Sequence, residues 1–462
     1  MSSSYVLTRW EPENRHFWDN TGARIANRNL WISIPALSLA FAIWMLWSVV
    51  VVNLDNAGFQ LSKNQMFWLT ALPALSGATL RIFYSFLVPV FGGRRWTAIS
   101  TATLLIPALG MGFALQDPTT SYPTLLALAL LCGFGGGNFS SSMANISFFF
   151  PKERKGFATG MNAGIGNLGV SLVQFVVPVI ISMGVLGSLG GDPQRFVVDG
   201  VEHQVWLQNA GFIWVPIILA SSLAAWFGMN DIADARASFA DQAVIFKRKH
   251  NWLMCWLYVG TFGSFIGFSA GFAMLAKALF PDVDPVVYAF LGPLVGSLTR
   301  PLGGWISDKI GGARLTLLVF AAMIAAVLGV LNFVPTADSA GNFQGFLGTF
   351  IVLFALTGLG NGSTFRMIPV IFMHERIQAA QGRGAQAEKQ AMIDAGKESA
   401  AVLGFSGAIG AYGGFFIPRS FGTSLDLTGG VSAALYCFIG YYVTCLVITW
   451  WYYARRRAPV PC

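Results

Sequence analysis

A chain of 462 residues that is 55% hydrophobic and only 11% charged falls outside the ordinary soluble class, in which about a quarter of residues are charged. Apolar runs long enough for the ~20 residues that a helix needs to cross hydrocarbon recur from Leu30 to Tyr453, so the composition is that of an all-α, polytopic membrane protein. The net charge of +8 taken alone would admit nucleic acid as a partner; its distribution along the chain excludes that.

Residues 1–29 form a basic tail carrying Arg9, Arg15, Arg24 and Arg28, with no short apolar core of the kind a cleaved signal peptide contains. Twelve spans are predicted after it, at 30–54, 66–91, 95–115, 122–149, 155–183, 205–229, 251–279, 285–307, 313–335, 345–373, 398–424 and 428–453. Their even number puts both termini on one side. The polar stretch 230–250 reads as a connector between two six-helix bundles, 30–229 and 251–453, with a short tail at 454–462. The loop 184–204 is the longest connection on the far side and reads as a surface loop. The stretch 374–398, rich in Gln, Ala, Lys and Glu, has helical propensity and reads as a short cytoplasmic helix. Of the 29 Lys and Arg, 22 lie on the side of the termini, 4 (Lys63, Arg195, Lys277, Arg419) on the other and 3 (Arg81, Arg300, Arg366) inside spans. Basic loops stay in the cytoplasm, so both termini are expected there. The positive balance is thus topology.

The chain repeats itself. GATLRIFYSFLVPVFGG at 77–93 and GSLTRPLGGWISDKIGG at 296–312 share a frame in which Gly77 and Gly296 each precede an arginine, Arg81 and Arg300, by four residues. Gly92-Gly93 and Gly311-Gly312 follow those arginines at equal distance. Span five carries Gly160, Gly166 and Gly169, and span eleven carries Gly404, Gly410 and Gly413, with the same spacing of six and then three. Gly133 and Gly135 in span four answer Gly358 and Gly360 in span ten. Two parallel six-helix repeats imply an axis along the membrane normal and a polar cavity at mid-depth. Glycine in lipid permits close helix approach, so the matched sets are expected where helices pack tightly yet slide or bend. Exposed backbone beside Asn162 and Asn167 is a second reading of them, as lining of a polar path. The pattern G-x-G-x-x-G at 164–169 is no dinucleotide site, because that site needs a preceding strand and a turn outside lipid.

Arg81 and Arg300 fall about 8–11 residues, or about 12–16 Å, from their cytoplasmic helix ends, near the middle of a ~30 Å core. A charge there must pair, snorkel or line a wet cavity, and is a functional-site hypothesis by default. All 21 Asp and Glu lie in tails, loops or span ends, and so do His16, His203, His250 and His374. The natural partner of two guanidiniums with no built-in counter-charge is a mobile anion, whose planar oxygens match the guanidinium fork. The alternative, satisfaction by backbone carbonyls and water, stays open for either arginine alone. For Arg366, eight residues before His374, snorkelling toward the cytoplasm is favoured over substrate contact. A proton-driven carrier usually needs a titratable relay in its bundle, and none is evident, which favours exchange. Integral haem would need histidine ligands inside spans, and the five cysteines (Cys132, Cys255, Cys437, Cys445, Cys462) show no metal or redox spacing. No enzyme activity, metal or cofactor is therefore expected.

On these residues the chain resembles the major facilitator superfamily, and within it the nitrate/nitrite porters, specifically the bacterial nitrate/nitrite antiporters of the NarK type. NLWISIPALSLAFAIWMLWS (29–48), FGGRRWTAIST (91–101), MANISFFFPK (143–152) and TFGSFIGFSAGFAML (261–275) carry the similarity over nearly the whole chain, and 160–174 and 404–418 are similar to the family's two glycine-rich nitrate signatures. The resemblance implies twelve transmembrane helices in two pseudo-twofold-related bundles. It implies a secondary active transporter that exchanges nitrate and nitrite across a bacterial inner membrane by alternating access, in nitrate assimilation. Proton-coupled nitrate symport is the alternative, and an anion channel the more remote one. It implies that Arg81 and Arg300 hold the anion, walled by Phe139, Tyr258, Phe262 and Phe41 and joined by Asn167. Gly160, Gly164, Gly166, Gly169, Gly404, Gly407, Gly410 and Gly413 are the expected hinge and packing positions, and Asp308 and Lys309, within the loop motif at 304–311, the cytoplasmic gate. Expected partners are the two anions and the lipid bilayer, without nucleic acid, and the expected state is a monomer. Three positions depart from the family's pattern: Arg366 stands where Gln is expected, Gly407 where Ser is expected, and Pro89 at the acid position of the first-half loop motif.

Overall fold

The structure is a computed structural model that describes residues 5–84, 86–198, 200–233, 244–336 and 339–462. Residues 234–243 of the expected connector, Arg236 among them, lie outside the described residues.

The tail is structured. Strand β1 (Val6–Leu7) precedes a helical stretch that runs from Arg15 into helix α1 (Ala23–Trp44). The first half continues through α2 (Lys63–Tyr84), α3 (Gly93–Ala102), α4 (Leu105–Ala114), α5 (Tyr122–Phe149), α6 (Lys152–Ile181), the hairpin β2 (Gln194–Val198) and β3 (Val201–Val205), and α7 (Trp214–Gly228). Strand β4 (Asp231–Ile232) then pairs in parallel with β1, Val6 opposite Asp231. The second half comprises α8 (Lys249–Tyr258), α9 (Ser264–Leu279), α10 (Leu291–Ile310), α11 (Gly312–Phe333), α12 (Phe343–Ala380), α13 (Ala385–Ala411), α14 (Gly413–Thr428) and α15 (Ser432–Thr449).

Among the described residues, eleven helical stretches are long and apolar enough to cross a membrane. Helix α10, the eighth span of the sequence reading (285–307), falls outside that set, because Gly, Pro, Ser and Arg300 dilute its apolar residues. The expected loop at 184–204 contains the two-stranded hairpin, Gln194 opposite Val205. The stretch 374–398 is not a separate helix. Its Ala, Gln, Lys and Glu prolong α12 to Ala380 and start α13 at Ala385, and only Gly382 and Gly384, at φ +81° and +95°, turn the chain. Positive φ of this kind is a glycine conformation.

The chain divides into two compact units: residues 1–236 with 269–294, and residues 237–268 with 295–462. In unit 1 the tail is fastened to the membrane helices by a cluster of Trp18, Ala26, Leu30, Ile34, Ile146, Phe149, Phe150 and Ala158. Trp10 donates its indole N–H to the Phe148 carbonyl at 3.1 Å. Unit 2 centres on an aromatic core in which Phe268 meets Phe350, Phe354 and Phe438.

Glycine lets helices touch along their backbones. On α5, a methyl on Gly133 would lie 2.7 Å from the Gly77 amide nitrogen and one on Gly136 2.7 Å from the Gly77 Cα. On α12, methyls on Gly358 and Gly362 would lie 2.2 Å and 2.1 Å from the carbonyl oxygens of Gly296 and Arg300. The pairs α2/α5 and α10/α12 therefore solve the same packing problem with small residues, and each carries the arginine of its half.

Candidate functional site

Arg81 is fully buried on α2 and Arg300 is 8% exposed on α10. The Arg81 Nε donates to the Gly136 carbonyl at 2.7 Å. Its guanidinium carbon lies 4.6 Å from the Phe139 ring centre, 4.8 Å from Trp44 and 5.9 Å from Phe41. Phe41 and Phe139 meet edge to face at 6.0 Å. Rings set against a guanidinium stabilise its charge through their quadrupoles, by up to ~2 kcal/mol when desolvated. In unit 2 the Arg300 guanidinium lies over Phe365 at 5.4 Å, and its Nη1 has no hydrogen-bond partner among the described residues. No carboxylate among them lies within salt-bridge distance of Arg300. A buried donor without an acceptor costs its full desolvation, and an oxygen of water, of a carbonyl or of an anion would relieve that cost.

The aromatic and amide residues fall into two groups. Phe41, Phe139 and Arg81 come together in unit 1. Tyr258 and Phe262 stack in unit 2, with ring centres 5.4 Å apart, and both are buried. Asn167 on α6 is 1% exposed, and neither its amide nitrogen nor its oxygen has a hydrogen-bond partner among the described residues. An orphan amide in a span is costly unless it meets a ligand or water.

The glycines divide by environment. A methyl on Gly166 would lie 2.7 Å from the Leu37 side chain, and one on Gly169 2.0 Å from the Ser38 carbonyl oxygen of α1. Methyls on Gly410 and Gly413 would lie 2.8 Å from the Tyr258 ring and 2.4 Å from the Gly263 Cα. These four let α6, the end of α13 and the start of α14 lie directly on the helical stretches that carry the aromatic residues. At Gly160, Gly164 and Gly404 a methyl would meet nothing within 4 Å, so close packing is not what glycine provides there.

Toward the basic end of unit 2, the Arg366 Nε donates to Asp308 at 2.5 Å, and both side chains are about half exposed. Arg366 thus reaches to the loop motif. The Lys309 amine sits 3.7 Å from the Trp305 ring centre. In unit 1 the acid missing at Pro89 comes from far along the chain: Asp231, in β4, accepts the backbone N–H of Arg94 at 2.8 Å and its Nε–H at 3.3 Å. Both partners are buried. Another buried acid, Glu398 of α13, binds both Arg376 and Arg248.

Trp44, Phe365 and Asp231 were not among the site residues read from sequence. Trp44 carried one usable signal, its position three residues after Phe41 and hence on the same helix face. Asp231 carried none.

Residues 32–386 match the Major Facilitator Superfamily model. The chain is 52% identical to "Nitrate/nitrite transporter NarU" of Escherichia coli (strain K12), over 99% of this chain and 98% of that one. It is 42% identical to "Probable nitrate/nitrite antiporter NarK2" of Thermus thermophilus, over 99% and 98%, and 26% identical to "Nitrite extrusion protein" of Bacillus subtilis (strain 168), over 94% and 96%. Among solved structures, a bacterial homologue of the human lysosomal transporter Spinster, in an inward-facing and occupied conformation, aligns with a TM-score of 0.56 at 14% identity, covering 91% of this chain and 95% of that one. That likeness shows the fold.

Proposed function

The chain belongs to the major facilitator superfamily, which makes it a multi-pass membrane transporter and not an enzyme, and on that premise we propose that it exchanges nitrate and nitrite by alternating access, the anion being held by Arg81 and Arg300. Nitrate and nitrite are the substrates in the names of its relatives. The observation that carries the reading is the pair of buried guanidiniums at equivalent positions of two repeats, Arg81 set against Phe41, Trp44 and Phe139 and Arg300 against Phe365. The fork of N–H donors reads a planar oxyanion in two directions, the rings exclude water without competing for the anion, and the orphan Asn167 amide adds a neutral donor. Phe41, Phe139, Tyr258 and Phe262 are proposed as walls, and the glycines of α6, α13 and the start of α14 as positions of packing and bending. The 230–250 connector would join the two repeats, as bundles 30–229 and 251–453, with both termini in the cytoplasm of a bacterial inner membrane and a monomer as the working unit.

The test is transport by arginine variants in reconstituted vesicles. Arg81→Lys and Arg300→Lys keep the charge and lose the fork. Each is expected to lower nitrate uptake at least about tenfold, a loss of roughly 1.4 kcal/mol or more of binding or barrier energy. Wild-type rates in either variant would remove that arginine from the site. The second reading, proton-coupled symport, draws on the titratable cluster of unit 2, where His250 Nδ1 lies 2.7 Å from the Tyr453 hydroxyl and Nε2 lies 3.5 Å from Glu375. Uptake driven by a pH gradient into vesicles lacking internal anion would establish it.

A further inference from the structure

Trp44 is as deeply buried as Arg81, and it is held more tightly than packing alone requires. Its indole Nε1–H donates to the Pro73 carbonyl inside α2 at 2.7 Å. The ring occupies a slot cut by two glycines on two different helices: a methyl on Gly77 would lie 2.5 Å from the indole Nε1, and one on Gly136 2.7 Å from its Cε2. From that slot the ring presents itself to the Arg81 guanidinium at 4.8 Å, while Phe139 lies at 4.6 Å. The Gly136 carbonyl, on the residue that shapes the slot, accepts the Arg81 Nε–H. One side chain is thus fixed to α2 by a hydrogen bond, fitted to α5 by shape and laid against the cation.

The second repeat fills the equivalent slot differently. A methyl on Gly296, the partner of Gly77, would lie 2.7 Å from the Phe265 ring. A phenyl ring has no N–H to donate, so no bond of the Trp44–Pro73 kind can form there. The two halves are alike in backbone and unlike in how the aromatic residue is anchored.

We propose that Trp44 is a positioning residue for Arg81: its anchored indole holds the guanidinium plane in the orientation that grips the anion. A guanidinium carried on several rotatable bonds loses rotamer freedom when it binds. Holding it beforehand transfers that loss from the binding step to folding, which tightens affinity. The inference rests on the reading that Arg81 contacts the anion, and it assigns the first-repeat arginine as the fixed member of the pair.

Two variants separate the features of the indole. Trp44→Phe keeps an aromatic face and removes the Nε1–H; Trp44→Leu removes both. In vesicles, Trp44→Leu is expected to raise the KM for nitrate about tenfold or more, as loss of a desolvated cation–π contact implies, with the maximal rate within roughly threefold of wild type. Trp44→Phe is expected to restore most of the affinity while keeping a KM a few-fold above wild type. A merely structural tryptophan would give the opposite split, with lower melting temperature and maximal rate at unchanged KM, and that result overturns the proposal. If Trp44→Leu does not fold, Trp44→Phe alone decides: a wild-type KM overturns it. Arg81→Lys measured alongside separates the two claims. Loss of transport there together with a wild-type KM in Trp44→Leu sinks the positioning role and leaves the arginine site standing, whereas wild-type transport in Arg81→Lys sinks both.

Discussion

At the residue scale, burial decides which ion pairs matter. Arg94 and Asp231 are both under a tenth exposed, so removing one leaves a charge stranded in low dielectric. Asp231→Ala is expected to destabilise the protein by about 3–5 kcal/mol, seen as a large fall in melting temperature in detergent. Arg366 and Asp308 are about half exposed, and such pairs are worth about 0–1 kcal/mol, so Arg366→Ala is expected to leave the melting temperature nearly unchanged. Equal falls in the two variants would contradict the ranking. The same contrast explains what sequence could show. The burial of Arg81 and Arg300 was legible because a charge deep in an apolar run is costly and stands out against its neighbours. Asp231 was not, since it acts across 137 residues and in sequence is one more loop acid. Trp44 was only weakly so, through its place three residues after Phe41. An indole among apolar residues reads as filling, and only the slot formed by Gly77 and Gly136 turns it toward a guanidinium.

At the element scale, the repeated glycines prove to be of two kinds. Their spacing was plain in the sequence, but their neighbours were not, because a neighbour is set by which helix lies opposite. Gly169→Ala would drive a methyl to 2.0 Å from the Ser38 carbonyl oxygen. Backbone cannot yield as a flexible side chain does, so destabilisation of about 1–3 kcal/mol is expected, measured as a drop in melting temperature. Gly160→Ala meets nothing within 4 Å, and replacing a helix-interior glycine by alanine gains up to ~1 kcal/mol of helix propensity. Its melting temperature is therefore expected to hold or rise. If α6 bends at Gly160 during the transport cycle, nitrate uptake should fall in that same variant. Intact stability with intact transport would remove Gly160 from the hinge set.

At the scale of the whole molecule, the distribution of charge bears on topology and on coupling. The excess of Lys and Arg on one set of loops orients the chain, so green fluorescent protein fused to the C-terminus should fluoresce, and alkaline phosphatase fused there should be inactive. The coupling argument starts from what the spans lack. No carboxylate and no histidine occupies a span centre in the sequence, so on the proposed reading the two guanidiniums would carry charge +2 when empty and +1 with a monovalent anion bound. Closing a low-dielectric shell around the empty pair is costlier than closing it around the loaded one. The empty carrier should then return slowly and the loaded one quickly, which is the kinetic definition of an exchanger. Vesicles loaded with nitrite and placed in labelled nitrate should accumulate label far faster than vesicles loaded with chloride or sulfate, with a rate that saturates as external nitrate rises. Uptake that is equally fast with an empty lumen would mean that the unloaded form returns freely, and exchange would then have to give way to symport or to a channel.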